Sequence, residues 1–351
     1  MSPTSKLAFP ALRPGRAATP IAFIRAIVLA YRRYGVAPAG ALARAGIDAA
    51  LLEQPDARVT AAQMEIISGH AMQELDDEAL GWFSRRLPWG SYGMLCRASL
   101  GAPNLGVALK RWCRHHRLLT DDIGLALDVA KTAATLTVAP RRPLGEMQEF
   151  CLVTLLRYVL GYACWAIDSR IPLTESRFPF PAPPHADAYS LMFPGPVRFD
   201  AEFAGLSFDA RYLELPIRRD EAALQTMLQR ALPLTVLQYR RDRLLVEGVR
   251  RFLRDPASGP ATAETVAEHL HVSVRTLHRQ LHEEGSSLQR LKDDARRDRA
   301  IELLNRSSRS IKQISALVGF GNEKSFSRAF RTWTGVPPQT FREKGLGDKR
   351  A

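Results

Sequence analysis

Two short stretches of this chain set hydrogen-bonding side chains around apolar pairs at helical spacing. In "SVRTLHRQL", Leu277 and Leu281 stand four apart, with Ser273, Arg275, Thr276, His278 and Arg279 about them. In "GNEKSFSRAF", Phe326 and Phe330 stand four apart, with Asn322, Glu323, Lys324, Ser327 and Arg328 about them. Residues i and i+4 share a helix face. Each stretch therefore predicts a helix packed on one side and offering donors and acceptors on the other. That set suits recognition of base edges. Arginine can bridge O6 and N7 of guanine, and glutamate can accept from N4 of cytosine.

Catalysis finds little support in the same residues. No Gly-rich phosphate loop, G-x-S-x-G or H-E-x-x-H occurs, and each of those chemistries needs its motif. The acidic run Asp76, Asp77 and Glu78 reads as a loop rather than a catalytic pair. His278 and His282, at i and i+4 with His269 and His271 nearby, have zinc-like spacing, but no cysteine supports them. We expect no catalytic residues, no metal and no cofactor.

The elements that must position the two armed helices repeat weakly. Residues 265–291 and 313–341 align with Val266 on Ile314, Leu277 on Phe326, Leu281 on Phe330 and Gly285 on Gly335. Each copy reads as helix, tight turn, helix, the helix-turn-helix unit. Thr262 and Ser273 are the expected caps of the first copy. Ser310, with Gln313 in a capping-box pattern, and Asn322 are those of the second. Gly319 and Gly321 flank Phe320 in the second turn, where positive φ is expected. Between the copies, "SLQRLKDDARRDRAIELLN" carries Leu288, Leu291, Ala295, Ile301 and Leu304 at helical spacing. A helix of about 17 residues spans about 25 Å. It could hold the two units one DNA turn apart, about 34 Å. Its Arg290, Arg296, Arg297 and Arg299 face two readings: phosphate contacts, or pairs with Asp293, Asp294 and Asp298.

Charge agrees with a polyanion partner for this part of the chain. The 351 residues carry a formal charge of +13. From Arg240 onward there are 23 Lys and Arg against 14 Asp and Glu, so the last third holds most of the excess. The four cysteines, Cys96, Cys113, Cys151 and Cys164, form no C-x-x-C pair and read as buried thiols of a reducing compartment. The polar, Pro-rich first 19 residues lack a signal-peptide core and read as a tail. Met147 to Ile167 is long and apolar, but Glu149 and Arg157 interrupt it. A buried core helix is expected there, not a membrane span.

The earlier part of the chain mixes periodicities. Helices are expected over Ile21–Tyr34, in "VAPAGALARAGID", over Thr60–Leu75 with Thr60 as cap, and over Asn104–Leu119. "DIGLALDVA" and "TAATLTVAP" alternate and predict a hairpin. "RFPFPAPPH" reads as a rigid loop, and "VRFDAEFAGLSFDARYLELPI" as short strands. Asp220–Leu232 reads as a helix leading into a linker. The basic cluster Arg111, Arg114, His115, His116 and Arg117 would suit an anionic effector, or simply a solvated helix face. The fold class is an α+β N-terminal domain followed by an all-α C-terminal domain, two helix-turn-helix units joined by a linker helix.

The run "SIKQISALVGFGNEKSFSRAFRTWTGVPPQTFR", with A-x-x-x-G-F, the Phe-x-x-x-Phe pair and G-x-x-P in order, resembles the signature of AraC/XylS-type transcription regulators. The resemblance covers about residues 240–344, and departs from the family at Leu281, where phenylalanine is common, and in the short "HEEG" loop. "GVAPAGALARAGIDAALLEQPDARVT" and "LGWFSRRLPWGSYGMLCRASLGAPNLGVALKRWCRHHRLLTDD" resemble, more weakly, the arabinose-binding-like sensor domain of one branch of that family. This implies a tail over 1–19, an effector-binding and dimerisation domain over 20–225, a linker over 226–239, a DNA-binding domain over 240–344 with units at about 262–283 and 310–333, and a tail over 345–351. The implied function is sequence-specific promoter binding under control of a small-molecule effector. Activation is expected, with RNA polymerase and a second copy as partners and a cytoplasmic location. The DNA contacts would be Ser273, Arg275, Thr276, His278 and Arg279 in the first unit, and Asn322, Glu323, Lys324, Ser327 and Arg328 in the second. Effector-binding residues are not assigned. The alternatives left open are a repressor, a ligand-independent architectural DNA-binding protein, and an enzyme with an appended reader.

Overall fold

The computed structural model describes residues 17–229, 244–255, 259–283 and 286–347, with backbone alone over 344–347. These residues fall into two compact units, 17–229 and 244–347. Residues 1–16 of the expected tail, 230–239 of the expected linker, 348–351, and Glu284 and Gly285 of the "HEEG" loop lie outside the described residues.

The N-terminal unit begins with β1 (Ala17–Pro20), which pairs antiparallel with β2 (Arg58–Thr60). Helix α1 (Ile21–Arg33) ends before Gly35, whose φ is +67°, and α2 (Ala39–Arg44) closes near Gly46, at +61°. Both endings use the left-handed residue that stops a helix. Thr60 caps α3 (Ala61–Glu74) through a complete capping box with Gln63. Helix α4 (Ser91–Leu100) was not expected; it carries no continuous apolar stripe. Asn104 caps α5 (Leu105–His116), which stops three residues short of the expected Leu119.

The hairpin forms as its alternation predicts. Strand β3 (Ile123–Val129) pairs with β4 (Ala133–Pro140), and Ala134, Leu136 and Val138 of β4 point into the core. Strand β7 (Ala204–Asp209) pairs with β4 and with β5 (Leu173–Arg177), and β6 (Val197–Arg198) lies parallel at the edge. The sheet order is β3-β4-β7-β5-β6. Helix α6 (Gln148–Ala166) packs against β4 and β7. It is apolar on nearly every side because it is buried on nearly every side. Of the described helices it alone is long and apolar enough to cross a membrane, yet 83% of its apolar window is buried inside the protein. Arg157, within it, donates to the carbonyl of Met192 at 2.6 Å. The four cysteines are free and buried, and burial pushes the Cys96 and Cys113 thiols up to about 12.

The short α7 (Tyr189–Met192) and α8 (Glu221–Leu228) complete the unit. Residues 226–228, assigned to a linker by sequence, continue α8, which is seated on α4 by the bidentate Arg97–Glu221 pair.

The described residues of the C-terminal unit form helices and no strands: α9 (Leu244–Arg254), α10 (Ala263–His269), α11 (Val274–Glu283), α12 (Leu288–Arg306), α13 (Ile311–Leu317), α14 (Glu323–Thr334) and α15 (Pro338–Gly347). It has two small cores. One gathers Val246, Val249 and Phe252 of α9 with Val266, Leu277, Leu281, Leu288 and Leu291. The other gathers Ala300, Leu303 and Leu304 with Ile314, Val318, Phe326 and Phe330. Helix α12 thus serves both. Ala295 and Ile301, expected among its packing residues, are only half-buried, and Ala300 and Leu303 do that work.

Candidate nucleic-acid interface

Leu277, Leu281, Phe326 and Phe330 are all 0% exposed. Phe326 meets the rings of Phe320 and Phe330 at 5.6 and 5.7 Å, and Phe341 of α15 stands edge-on to Phe330 at 5.5 Å. Once these faces are buried, the opposite faces of α11 and α14 must lie in solvent. Arg275, His278 and Arg279 are exposed on α11; Glu323, Lys324 and Arg328 are exposed on α14, with Asn322 just before it. Thr276 and Ser327 are half-buried at the flanks.

The turns that aim these helices share one geometry. After α13, Gly319 has φ +81°. Its N–H bonds the carbonyl of Ala316 at 3.1 Å, and the N–H of Phe320 bonds that of Ser315 at 3.0 Å. This is the paired closure of a Schellman ending. Gly321, expected to share the positive φ, does not have it; it is the extra residue of the longer turn. After α10 the same closure runs from His271 to Glu268 and from Val272 to Ala267, with His271 at φ +55°. The arginine of α12 nearest the second turn, Arg296, lies over the Phe320 ring at 5.5 Å.

The caps decide which polar atoms remain for a ligand. Asn322 Oδ1 accepts from the N–H of Ser325 at 2.8 Å, so its amide N–H groups stay available. Ser273 Oγ accepts from the N–H of Thr276 at 3.1 Å and lies 2.8 Å from the Thr276 hydroxyl. One hydroxyl proton is used between the two side chains, and one remains. Arg279 is within 3.9 Å of Glu283, a loose surface pair worth little in stability. No hydrogen bond or ion pair engages the Lys324 or Arg328 side chain among the described residues. Arg331 is not among the expected contacts. It is exposed three residues beyond Arg328, and that spacing was the available signal.

The arginines of α12 resolve toward intrahelical pairing. Arg297 bonds Asp294 at 3.1 Å and Asp298 at 3.0 Å, Arg299 bonds Glu302 at 2.8 Å, and Arg296 lies 3.8 Å from Asp293. Arg290 is exposed. In the N-terminal unit the expected basic cluster on α5 is smaller than the sequence implied. His116 is 1% exposed, and burial pulls its imidazole down to about 4.

Comparison with known proteins gives two family matches. Residues 35–217 match the family of the arabinose-binding domain of AraC transcription regulators, N-terminal. Residues 266–344 match a helix-turn-helix domain family. The ornithine utilization regulator of Pseudomonas aeruginosa is 28% identical over 326 residues, covering 92% of this chain and 96% of that one. The regulator VqsM of the same organism is 41% identical over 78 residues, 22% of this chain and 24% of its own. Among solved structures, the transcriptional regulator CdpR of Pseudomonas aeruginosa aligns over 95% of this chain and 100% of its own at 20% identity, with a TM-score of 0.31.

Proposed function

The chain belongs to the AraC-type transcription regulators with an N-terminal arabinose-binding-like domain, and from that premise we propose that α11 and α14 are its reading helices. They enter successive major grooves of one promoter site. In the first unit Arg275, Thr276, His278 and Arg279 face the bases, and Ser273 holds phosphate. In the second, Glu323, Lys324, Ser327 and Arg328 face the bases, and the Asn322 amide holds phosphate at the helix N-terminus. The N-terminal unit binds a small effector and biases DNA binding. RNA polymerase and a second copy of the chain are partners in activation, in the cytoplasm. Nothing in this reading requires turnover of the effector.

The observation that carries it is the two-sidedness of α14: Phe326 and Phe330 fully buried, Lys324 and Arg328 exposed and unpaired among the described residues. An arginine that bridges guanine contributes discrimination, whereas one that only meets phosphate does not. Arg328→Ala should therefore weaken binding to the selected operator by about 1–3 kcal/mol and leave random-sequence binding nearly unchanged. Equal losses on operator and random DNA, measured at one salt concentration, would remove Arg328 from the base-reading set.

A further inference from the structure

Helices α3, α4, α5, α6 and α8 line a cavity of about 280 Å³ in the N-terminal unit, partly open to solvent beside the exposed Trp89. Its walls are aromatic: Tyr92 and Tyr158 rings lie 5.0 Å apart, Trp112 and Tyr162 rings 4.6 Å apart. One carboxylate, Glu78, lines it, and so do Met227 and Leu228 of α8. Glu78 is 7% exposed. Each of its oxygens accepts one backbone N–H, from Gly90 and from Tyr92, both at 2.7 Å. No cation pairs with it among the described residues. Tyr92 contributes to the cavity wall, while its hydroxyl is buried away from the cavity surface without a hydrogen-bond partner.

The charges around Glu78 are one-sided. Asp76 and Asp77 sit beside it on its own loop and add to its negative field. The titratable groups that share the cavity with it are Tyr92, Cys96 and Arg97 of α4 and Tyr158 and Tyr162 of α6. The Arg97 charge is already engaged by Glu221, bidentate at 2.7–3.1 Å. Burial raises all three tyrosine hydroxyls, so they stay neutral. An anion entering here would meet a carboxylate with no free cation beside it. A neutral apolar body would leave that carboxylate desolvated and unpaired, which is costly. Aromatic faces and a carboxylate together are the chemistry that holds an ammonium group.

We infer that this cavity is the effector site and that its ligand is a small organic amine, bound as the cation, with an apolar body against the aromatic walls and its ammonium group on Glu78. The inference rests on the regulatory function proposed above. It also gives the ligand a mechanical handle. Helix α8 is the last described element before the chain continues to the DNA-binding unit, and Leu228 is packed so closely on Gly93 that an added Cβ there would lie 3.2 Å from it. Filling the cavity fixes that helix.

The test uses the full chain and three probes that share one aromatic body: phenethylamine, phenethyl alcohol and phenylacetate. Calorimetric titration should show the amine bound at least about tenfold more tightly than the alcohol, and the acid not bound. Glu78→Gln should bring the amine down to the affinity of the alcohol. Because that variant also perturbs the start of α4, the unaltered protein supplies a second reading. Burial pushes the Glu78 carboxyl up to about 7. Amine affinity should fall about tenfold from about pH 8 to about pH 6, with release of a proton on binding, while alcohol affinity should not fall. Phenylacetate binding as well as the amine, cation preference surviving Glu78→Gln, a level pH profile for the amine, or no binding of any probe at about 10 mM would each overturn the assignment. An operator titration of the same preparation separates the two readings. Intact operator binding without amine selectivity removes only the cavity assignment, and amine binding without operator selectivity removes only the DNA-reading one.

Discussion

His271 and Gly319 occupy the same left-handed position, one after α10 and the other after α13, at φ +55° and +81°. An L side chain in that region costs about 1–2 kcal/mol, and glycine does not carry that penalty. Part of the gain from a glycine is lost to its freer unfolded chain. His271→Gly should therefore raise stability by about 0.5–1 kcal/mol, and Gly319→Ala should lower it by about 1–2 kcal/mol. The alanine Cβ at 319 would lie 3.9 Å from Arg296, ordinary contact, so conformation alone sets that cost. Urea unfolding of the full chain with each variant checks both signs. The glycine was legible in the sequence because Gly-Phe-Gly announces a turn, though which glycine turns left was not. The histidine was not legible, because nothing local marks a non-glycine residue forced into that region by the helices on either side. The acidic run shows the same limit. Asp77 is wholly buried and accepts from the N–H groups of Ala79, Gly81 and Leu87 and from the Tyr34 hydroxyl, while Glu78 turns to a cavity. Adjacent carboxylates with different fates are separated by packing that arrives from α1 and α4, not by their own spacing.

Helix α12 is one rod with two jobs. Leu288 and Leu291 close the first core, and Ala300, Leu303 and Leu304 close the second. From Leu291 to Leu303 is twelve residues, or about 120° of net rotation at 100° per residue, so the two cores sit on different sides of the helix. One continuous apolar stripe, drawn through Leu288, Leu291, Ala295, Ile301 and Leu304, therefore meets the buried positions at Leu288, Leu291 and Leu304 but not at the half-buried Ala295 and Ile301. The intervening charged stretch reaches the second core only where Arg296 covers Phe320, and otherwise satisfies itself through the Arg297 pairs with Asp294 and Asp298. The rod sets the relative angle of the readers, and this can be changed without touching either. One alanine inserted between Arg296 and Arg297 turns the second unit by about 100° and shifts it about 1.5 Å. Each core keeps its own residues. Affinity for the two-part operator should fall at least about tenfold, whereas binding to random DNA, which depends on charge, should change little. Retained operator affinity would mean that a single unit carries the selectivity. The opposite case, loss of both kinds of binding together with loss of helicity in circular dichroism, would show that α12 cannot tolerate the insertion.

At the scale of the whole chain, the change of periodicity and the basic last third were readable, and they separate an α+β body from a helical reader. The order β3-β4-β7-β5-β6 was not readable, because β7 reaches back between β4 and β5 from far along the sequence and no local pattern encodes such a partner. Two buried groups of the body also make its stability respond to pH in a way composition does not suggest. Burial raises the Glu78 carboxyl from 4.5 to about 7 and lowers the His116 imidazole from 6.5 to about 4. Between those limits for Glu78 the folded chain binds more protons than the unfolded chain, so acidification from about pH 7 to about pH 4.5 stabilises it. For His116 the unfolded chain binds more, so acidification from about pH 6.5 to about pH 4 destabilises the fold. Each effect approaches about 3 kcal/mol at 1.36 kcal/mol per unit, and over most of the shared window they oppose. The N-terminal unit should therefore keep a nearly level unfolding free energy from about pH 6.5 to about pH 4.5. Glu78→Gln removes only the stabilising arm. That variant should lose stability steadily over the same window, by about 2–3 kcal/mol, in urea unfolding followed by tryptophan fluorescence. A parallel slope in both proteins would show that the two groups do not titrate as their burial requires.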